Sequence, residues 1–333
     1  MSLETVIAGL RLRNPVLSAP GPYGFTQETA ILSGLRRLGG FVTKSITVEP
    51  RRGNPPPRLA VTPAGMLNAI GLENPGIEAF IAHDLPRLRH LDMPVIVSIA
   101  GSSVAEYALL AERLTTAGVD AVEVNVSCPN TEDGMIFGSE PRAAAGLVGA
   151  VRHATPLPVW VKLTPNVTDI AAIARAVEDA GADALALINT VAAMAVDVEA
   201  RTPVLGAISG GLSGPAIRPV AVYQTWRAAT AVKVPVIGMG GIETAEDALE
   251  FLIVGARGVA IGSAIMRRPA VIEEVLDGLE AYLRRHRLRD ISEVVGSLHV
   301  PVSAPHLHRP DPVTMGPAVG AVAERPLARH RWR

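Results

Sequence analysis

Two short phrases alternate along the chain, each an apolar run with its own punctuation. In one, proline opens the run: residues 94–100 (PVIVSIA), 158–163 (PVWVKL) and 235–239 (PVIGM). In the other, a glycine stands just ahead of it: Gly118 before AVEVNV (121–126), Gly181 before ALALIN (184–189) and Gly255 before GVAIG (258–262). Proline suits the first position of a strand, and glycine suits the residue that ends a helix. Between these runs, segments 104–117, 170–180 and 245–254 space their apolar residues at about 3.6, the period of a helix with one buried face. Upstream, 15–19 and 41–47 read as two more strands around a helix near 27–38. The pattern predicts eight strands, each followed by a helix. Eight is the number at which a buried parallel sheet closes on itself, so the expected fold is α/β, a (β/α)8 TIM barrel. An open doubly wound sheet is the runner-up.

Two stretches break the rhythm. Residues 49–71, with Pro55, Pro56 and Pro57, are too long for a simple strand-to-helix connection, as are 191–214, with Gly210, Gly211 and Gly214. Both are expected to be excursions over the barrel mouth, where long loops carry binding function. The division expected is a catalytic barrel over 1–300 and a Pro- and Arg-rich, poorly ordered tail over 301–333, with a strap over a partner surface as the alternative.

Composition narrows this further. Of the 333 residues 48% are apolar but only 4% aromatic, so the core must be aliphatic, as suits buried parallel strands. A net charge of −1 argues against nucleic-acid binding, which needs a basic surface. The single cysteine rules out an internal disulfide and fits a reducing compartment; four thiolates for an iron–sulfur cluster are not there. No signal peptide is evident at the N-terminus, and no apolar run reaches the roughly 20 residues that span a bilayer. A cytoplasmic protein is expected.

That lone cysteine, Cys128, follows the fourth apolar run and stands between Asn125 and Asn130. A thiol titrates close enough to neutrality to act as an acid or base, although a lone cysteine is ordinarily just a small buried hydrophobe. In barrels of this kind the chemistry sits at the C-terminal ends of the strands. Those ends carry Lys44 and Ser45, then Asn125, then Lys162, then Asn189 and Thr190, with Asn68 in the first mouth insert. A lysine can snorkel and an asparagine can cap a turn. Two lysines within apolar strands, however, are expected to answer an anion, because an unpaired buried ammonium is costly. The seventh run leads into Gly240 and Gly241 and the eighth into Gly262 and Ser263, turns whose backbone can approach a phosphate. Neither turn matches a dinucleotide fingerprint.

With these residues in place, the chain resembles class 1 dihydroorotate dehydrogenases, and most closely the catalytic subunit of the NAD-linked class 1B. The likeness covers about residues 3–285 and rests on EPRRGNPPPR (49–58), GMLNAIGLENPG (65–76), NVSCPN (125–130), VKLTPNV (161–167), GGLSGPAI (210–217) and GMGGIETAEDALEF (238–251). The resemblance implies an FMN barrel that oxidises dihydroorotate to orotate in pyrimidine synthesis. It implies that Cys128 takes the C5 proton while C6 delivers hydride to the flavin, under a lid over 127–138. It makes Lys44, Met66, Leu67, Asn68, Asn125, Asn130, Asn189 and Thr190 the substrate contacts. Ala19, Gly21, Lys44, Ser45, Asn125, Lys162, Ile188, Gly214, Gly240, Gly241, Gly262 and Ser263 become the FMN contacts, with Lys162 stabilising the charge of the reduced ring. A cysteine in place of serine, and no N-terminal extension, favour class 1 over class 2.

The chain departs from the family at Pro20 and at Ser98, where class 1B members often have asparagine; both changes are expected to weaken a flavin or substrate contact. Class 1B implies a homodimeric core and a second subunit carrying FAD and a 2Fe–2S cluster, together a heterotetramer that passes electrons to NAD. The alternatives are a fumarate-linked class 1A enzyme, a dihydropyrimidine dehydrogenase-type flavoprotein and a tRNA dihydrouridine synthase-like flavoprotein. The Cys128-Pro129-Asn130 order disfavours the second and the near-neutral charge the third.

Overall fold

The computed structural model describes residues 1–24, 34–127 and 137–300. Eight parallel strands form one sheet: Val16–Ser18, Phe41–Val42, Val95–Ile99, Ala121–Asn125, Val159–Lys162, Ala184–Leu187, Val236–Met239 and Gly258–Ile261, hereafter barrel strands one to eight. Each pairs with its successor from strand two onward, and strand eight pairs with strand one. The ring closes between strands one and two, where Leu17 bridges Gly40 and the Ser18 N–H donates to the Gly40 carbonyl at 3.4 Å. This is the expected (β/α)8 barrel.

Strand residues alternate between two apolar clusters. Leu17, Val42, Ile96, Ala121, Trp160, Ala184, Ala186, Ile237, Met239 and Ala260 share one cluster, the barrel interior, with Ile7 and Leu12 of the N-terminal hairpin. The intervening residues, such as Val97, Val122, Val161 and Leu185, pack with the surrounding helices in the other. Alanines at so many inward positions leave room for the one large side chain, Trp160, and keep the interior narrow.

Helices form at Val104–Ala117, Ile170–Asp179 and Ala245–Ile253, within a residue of the apolar periodicity. Ser103, Asp169 and Thr244 cap them, each side chain accepting from a backbone N–H of the first turn. The helix expected near 27–38 falls partly on residues 25–33, outside the described residues; its described end is a short 3-10 turn, Leu35–Arg37. Residues 301–333, the expected tail, also lie outside the described residues.

Two expectations need correction. Strand two is Phe41–Val42, not 41–47. Beyond Val42 the hydroxyls intervene: the Ser98 N–H donates to Thr43 Oγ1, and the Thr43 hydroxyl donates to the Lys44 carbonyl. Side-chain oxygens that bond the backbone compete with a regular ladder. The mouth inserts, for their part, are not simply loops. Leu59–Thr62, Gly65–Asn68, Gly210–Ser213 and Val191–Ala193 build a four-stranded antiparallel sheet from both of them.

Candidate active site

The mouth sheet brings the second insert against the first, with Gly211 opposite Asn68 in register. The Asn68 side-chain amide donates to the Gly211 carbonyl at 3.3 Å. A Cβ on Gly211 would lie 2.5 Å from Cβ of Thr190, so only glycine lets the sheet close this tightly on the end of strand six. From Thr190 a polar row crosses the mouth. The Thr190 N–H donates to Asn189 Oδ1 at 2.8 Å, Asn189 Nδ2 donates to Asn125 Oδ1 at 3.4 Å, and Asn125 Nδ2 donates to Ser45 Oγ at 3.4 Å. Ser45 and Ser98 share a hydroxyl hydrogen bond of 2.9 Å at the far end. The Asn125 backbone is itself anchored, its carbonyl accepting from the Tyr107 hydroxyl at 2.7 Å. Strand four, the segments after strands two and six, and the mouth sheet thus bring five of the expected residues, Asn68, Thr190, Asn189, Asn125 and Ser45, into one line.

Lys162 stands opposite Asn125 in the strand four to strand five register, so both side chains leave the sheet on the inner face. It is 6% exposed, and Glu123, two residues before Asn125 on the same face, is 1% exposed. Burial pushes the Lys162 ammonium below the ordinary lysine range, opposed by Glu123. Burial likewise pushes the Glu123 carboxyl up, opposed by Lys162 and by a hydrogen bond with Ser98. Part of the anion that Lys162 answers is therefore this carboxylate. The sequence reading missed Glu123, although a charge inside AVEVN was the same signal that singled out the lysines. Ser98, read as a weakened contact, is the fully buried hinge between Glu123 and Ser45.

Lys44 takes a more open position than a strand interior would give. Its side chain is 23% exposed and its ammonium lies 4.0 Å from Glu73, which Arg58 also holds, at 3.1 Å. Leu67 is buried and alternates along its strand with the part-buried Met66 and Asn68. Cys128 and Asn130 lie outside the described residues. The chain leading to them is fixed by the Ser127 N–H, which donates to Asn125 Oδ1 at 3.2 Å.

The remaining expected residues fall into two groups. A Cβ on Gly241 (φ +77°) would lie 2.7 Å from the Gly214 carbonyl, and one on Gly240 would lie 3.5 Å from Ile188, so the ends of strands six and seven and the mouth sheet meet here. On the other side, a Cβ on Gly262 would lie 3.5 Å from that of Ala19, which places the ends of strands one and eight side by side; Gly21 comes next, with open space around it. Ser263 begins the helix Ala264–Arg267 without spending its hydroxyl on a cap.

These residues suit a flavin. Among the described residues Lys162 is the one buried cation, aimed into the barrel where a ring that gains electrons needs positive charge. A Cβ on Gly214, Gly240 or Gly241 would meet Gly65, Ala221 or the Gly214 carbonyl at 2.6–2.8 Å, so glycine is what lets these turns pack together at the strand ends, the part of such a barrel that suits a phosphate. The amides of Asn68, Asn125 and Asn189 offer both donors and acceptors to a flat polar substrate.

The family model for dihydroorotate dehydrogenase matches residues 2–283. The chain is 56% identical over 295 residues to the Desulforudis audaxviator protein named "Dihydroorotate dehydrogenase B (NAD(+)), catalytic subunit", covering 88% of this chain and 96% of that one. Relatives of the same name from Thermoanaerobacter pseudethanolicus and Geotalea uraniireducens are 50% and 48% identical, over 90% and 89% of this chain and 100% and 98% of theirs. No described helix is long and apolar enough to cross a membrane. The chain belongs to the dihydroorotate dehydrogenase family, with its class 1B catalytic subunits, as a flavin-dependent oxidoreductase that converts dihydroorotate to orotate in pyrimidine synthesis.

Proposed function

We propose that the flavin is FMN, that Cys128 is the base at C5 of dihydroorotate, and that the electrons leave for NAD through a second subunit carrying FAD and a 2Fe–2S cluster. The observation that carries the reading is the row Asn68–Gly211–Thr190–Asn189–Asn125–Ser45, in which Asn125 stands opposite the buried Lys162. When bound, the flavin supplies the acceptor for the hydride that leaves C6. Asn68, Asn125, Asn130, Asn189 and Thr190 hold the pyrimidine ring flat through its carbonyls, ring nitrogens and carboxylate. Lys44 lies between the two ligands, close enough to Glu73 to be steered by it. Lys162 faces the electron-accepting edge of the ring, and Gly214, Gly240, Gly241, Gly262 and Ser263 take the phosphate. The thiol of Cys128 removes the C5 proton under its own loop, which excludes water.

The relatives' names carry "NAD(+)" and "catalytic subunit", which supports a separate subunit for electron transfer. With one cysteine this chain cannot hold a four-thiolate cluster itself. A homodimeric core with two such partners, a heterotetramer, follows from the class.

The test is an absorption spectrum of the purified chain before and after anaerobic dihydroorotate. Bleaching of a flavin band, with orotate formed, is expected. NAD reduction should then need the added partner, and fumarate should not reoxidise the chain. A colourless protein, or a flavin that dihydroorotate leaves oxidised, would overturn the assignment; full-rate NAD reduction by the isolated chain would overturn the partner.

A further inference from the structure

Among the described residues four charged side chains are buried: Asp84, Glu123, Lys162 and Asp247. Asp247 is neutralised by Arg218 and caps a helix start through the N–H groups of Glu243 and Thr244. Asp84 lies in a helical segment beside His83 and Arg87. Only Glu123 and Lys162 enter the barrel interior, where neither faces solvent and both are costly.

Their placement is specific. Glu123 pairs in register with Trp160, and Lys162 is the next inward residue of the same strand, so the two charges are diagonal neighbours on one face. On the other side Glu123 has Ser98 as its register partner on strand three, and the Ser98 hydroxyl reaches Ser45 and so the row of amides. One carboxylate oxygen of Glu123 has no hydrogen-bond partner among the described residues, and neither has the Trp160 indole nitrogen beside it. From its diagonal position Glu123 interacts electrostatically with the Lys162 ammonium, without a direct ion pair between them.

We propose that Glu123 is a positioning residue of the flavin site, a buried counter-ion that fixes the charge of Lys162 and, through it, the reduction potential of the bound flavin. This rests on the proposed contact of Lys162 with the flavin. The reason is electrostatic. A buried ammonium tends to lose its proton, and an adjacent carboxylate holds that proton in place. The same carboxylate offsets part of the positive field at the ring, so the reduced flavin is stabilised less than a bare ammonium would stabilise it. An intermediate potential suits a centre that must accept electrons from a substrate and then release them to the next carrier.

The experiment compares wild type with Glu123→Gln, Glu123→Asp, Lys162→Met and the Glu123→Gln/Lys162→Met double variant. Flavin affinity and midpoint potential are measured on the loaded protein, thermal stability on the flavin-free protein. At a pH low enough to keep Lys162 protonated without its partner, Glu123→Gln removes a negative charge and should make the potential less negative, changing the reduced-to-oxidised ratio at least tenfold, which is about 30 mV for a two-electron couple. At higher pH, where the stranded ammonium loses its proton, that shift should vanish. Lys162→Met should move it the other way, and Glu123→Asp, which keeps the charge, should fall near wild type. In the flavin-free protein each neutral single variant should be less stable than the double variant, since removing one partner strands the other. A Glu123→Gln potential equal to wild type at every pH while Lys162→Met shifts, or additive stability losses, would overturn the counter-ion. A Lys162→Met protein with unchanged flavin affinity and potential would overturn the contact of Lys162 with the flavin, whatever the stability cycle gives.

Discussion

The tightest joint in the site is the contact of Gly211 with Thr190, and Gly211→Ala tests whether the polar row belongs to substrate binding. The new Cβ would stand 2.5 Å from the Thr190 Cβ and 3.2 Å from its Cγ2. Carbon atoms settle at about 3.5–4.0 Å, so the end of strand six or the mouth sheet must move by about an ångström. Rotating the Thr190 side chain relieves the contact with its branches but not with Cβ. Overpacking of this kind costs about 1–3 kcal/mol, equivalent to about fivefold to over a hundredfold in a binding constant. If Thr190 retreats, it drags Asn189, whose Oδ1 accepts from its N–H, and loosens Asn189 from Asn125. Orotate affinity, read from the shift in the flavin spectrum during titration, should then fall by at least fivefold, while flavin content should fall less, since of the glycines proposed to hold the phosphate only Gly214 adjoins the strand of Gly211. Any strain the fold retains should appear as a melting temperature lower by about 2 °C per kcal/mol. Gly146→Ala is the control: its Cβ meets nothing within 4 Å in the helix Pro141–Ala154, so it should leave orotate affinity unchanged and stabilise by up to about 1 kcal/mol. If Gly211→Ala binds orotate as wild type does, the row is not part of the substrate site.

Cys128→Ala should keep the bound flavin yet slow its anaerobic bleaching by dihydroorotate drastically, with Cys128→Ser intermediate; unchanged bleaching in stopped flow would remove the thiol from the mechanism. Thr244→Ala deletes the capping box that Thr244 makes with Asp247 at the start of the helix after strand seven, and should cost about 1 kcal/mol in denaturant unfolding; no loss would show that Asp247 caps the helix alone. Tyr23→Phe removes a 1% exposed hydroxyl that has no hydrogen-bond partner among the described residues and whose titration burial drives far upward. Its loss should leave the melting temperature unchanged or raise it, and a fall of several degrees would mean the hydroxyl is bonded in the working enzyme.

The barrel was legible because its signals are local. A proline or glycine marks where each run begins, and a 3.6 period needs only a dozen residues to declare itself, so Val104–Ala117 is recovered to the residue. Strand two was overread for a reason equally local. Thr43, Ser45 and Thr47 look like good strand residues, but their hydroxyls bond to neighbouring carbonyls or side chains, and pairing becomes intermittent, returning only where Ile46 bridges Ile99. The mouth sheet was invisible for the opposite reason: Gly65–Asn68 pairs with Gly210–Ser213 across some 140 positions. Glycine-rich segments with no alternating pattern give no hint of that partnership.

The amides and Lys162 could be picked out because polarity at a strand end is unusual. What the chain order hides is which of them touch. Asn125 and Lys162 are 37 positions apart and meet only because strands four and five run in register, and that register also lays Glu123 against Trp160. The strand AVEVN puts Glu123 and Asn125 on the face opposite Val122 and Val124, so the carboxylate could not be turned toward the helices without exposing valines to the barrel interior. An alternating strand thus fixes the direction of a charge as firmly as it fixes the core. The chain keeps a carboxylate there, against the cost of burying it, one inward step along the barrel from the buried ammonium of Lys162.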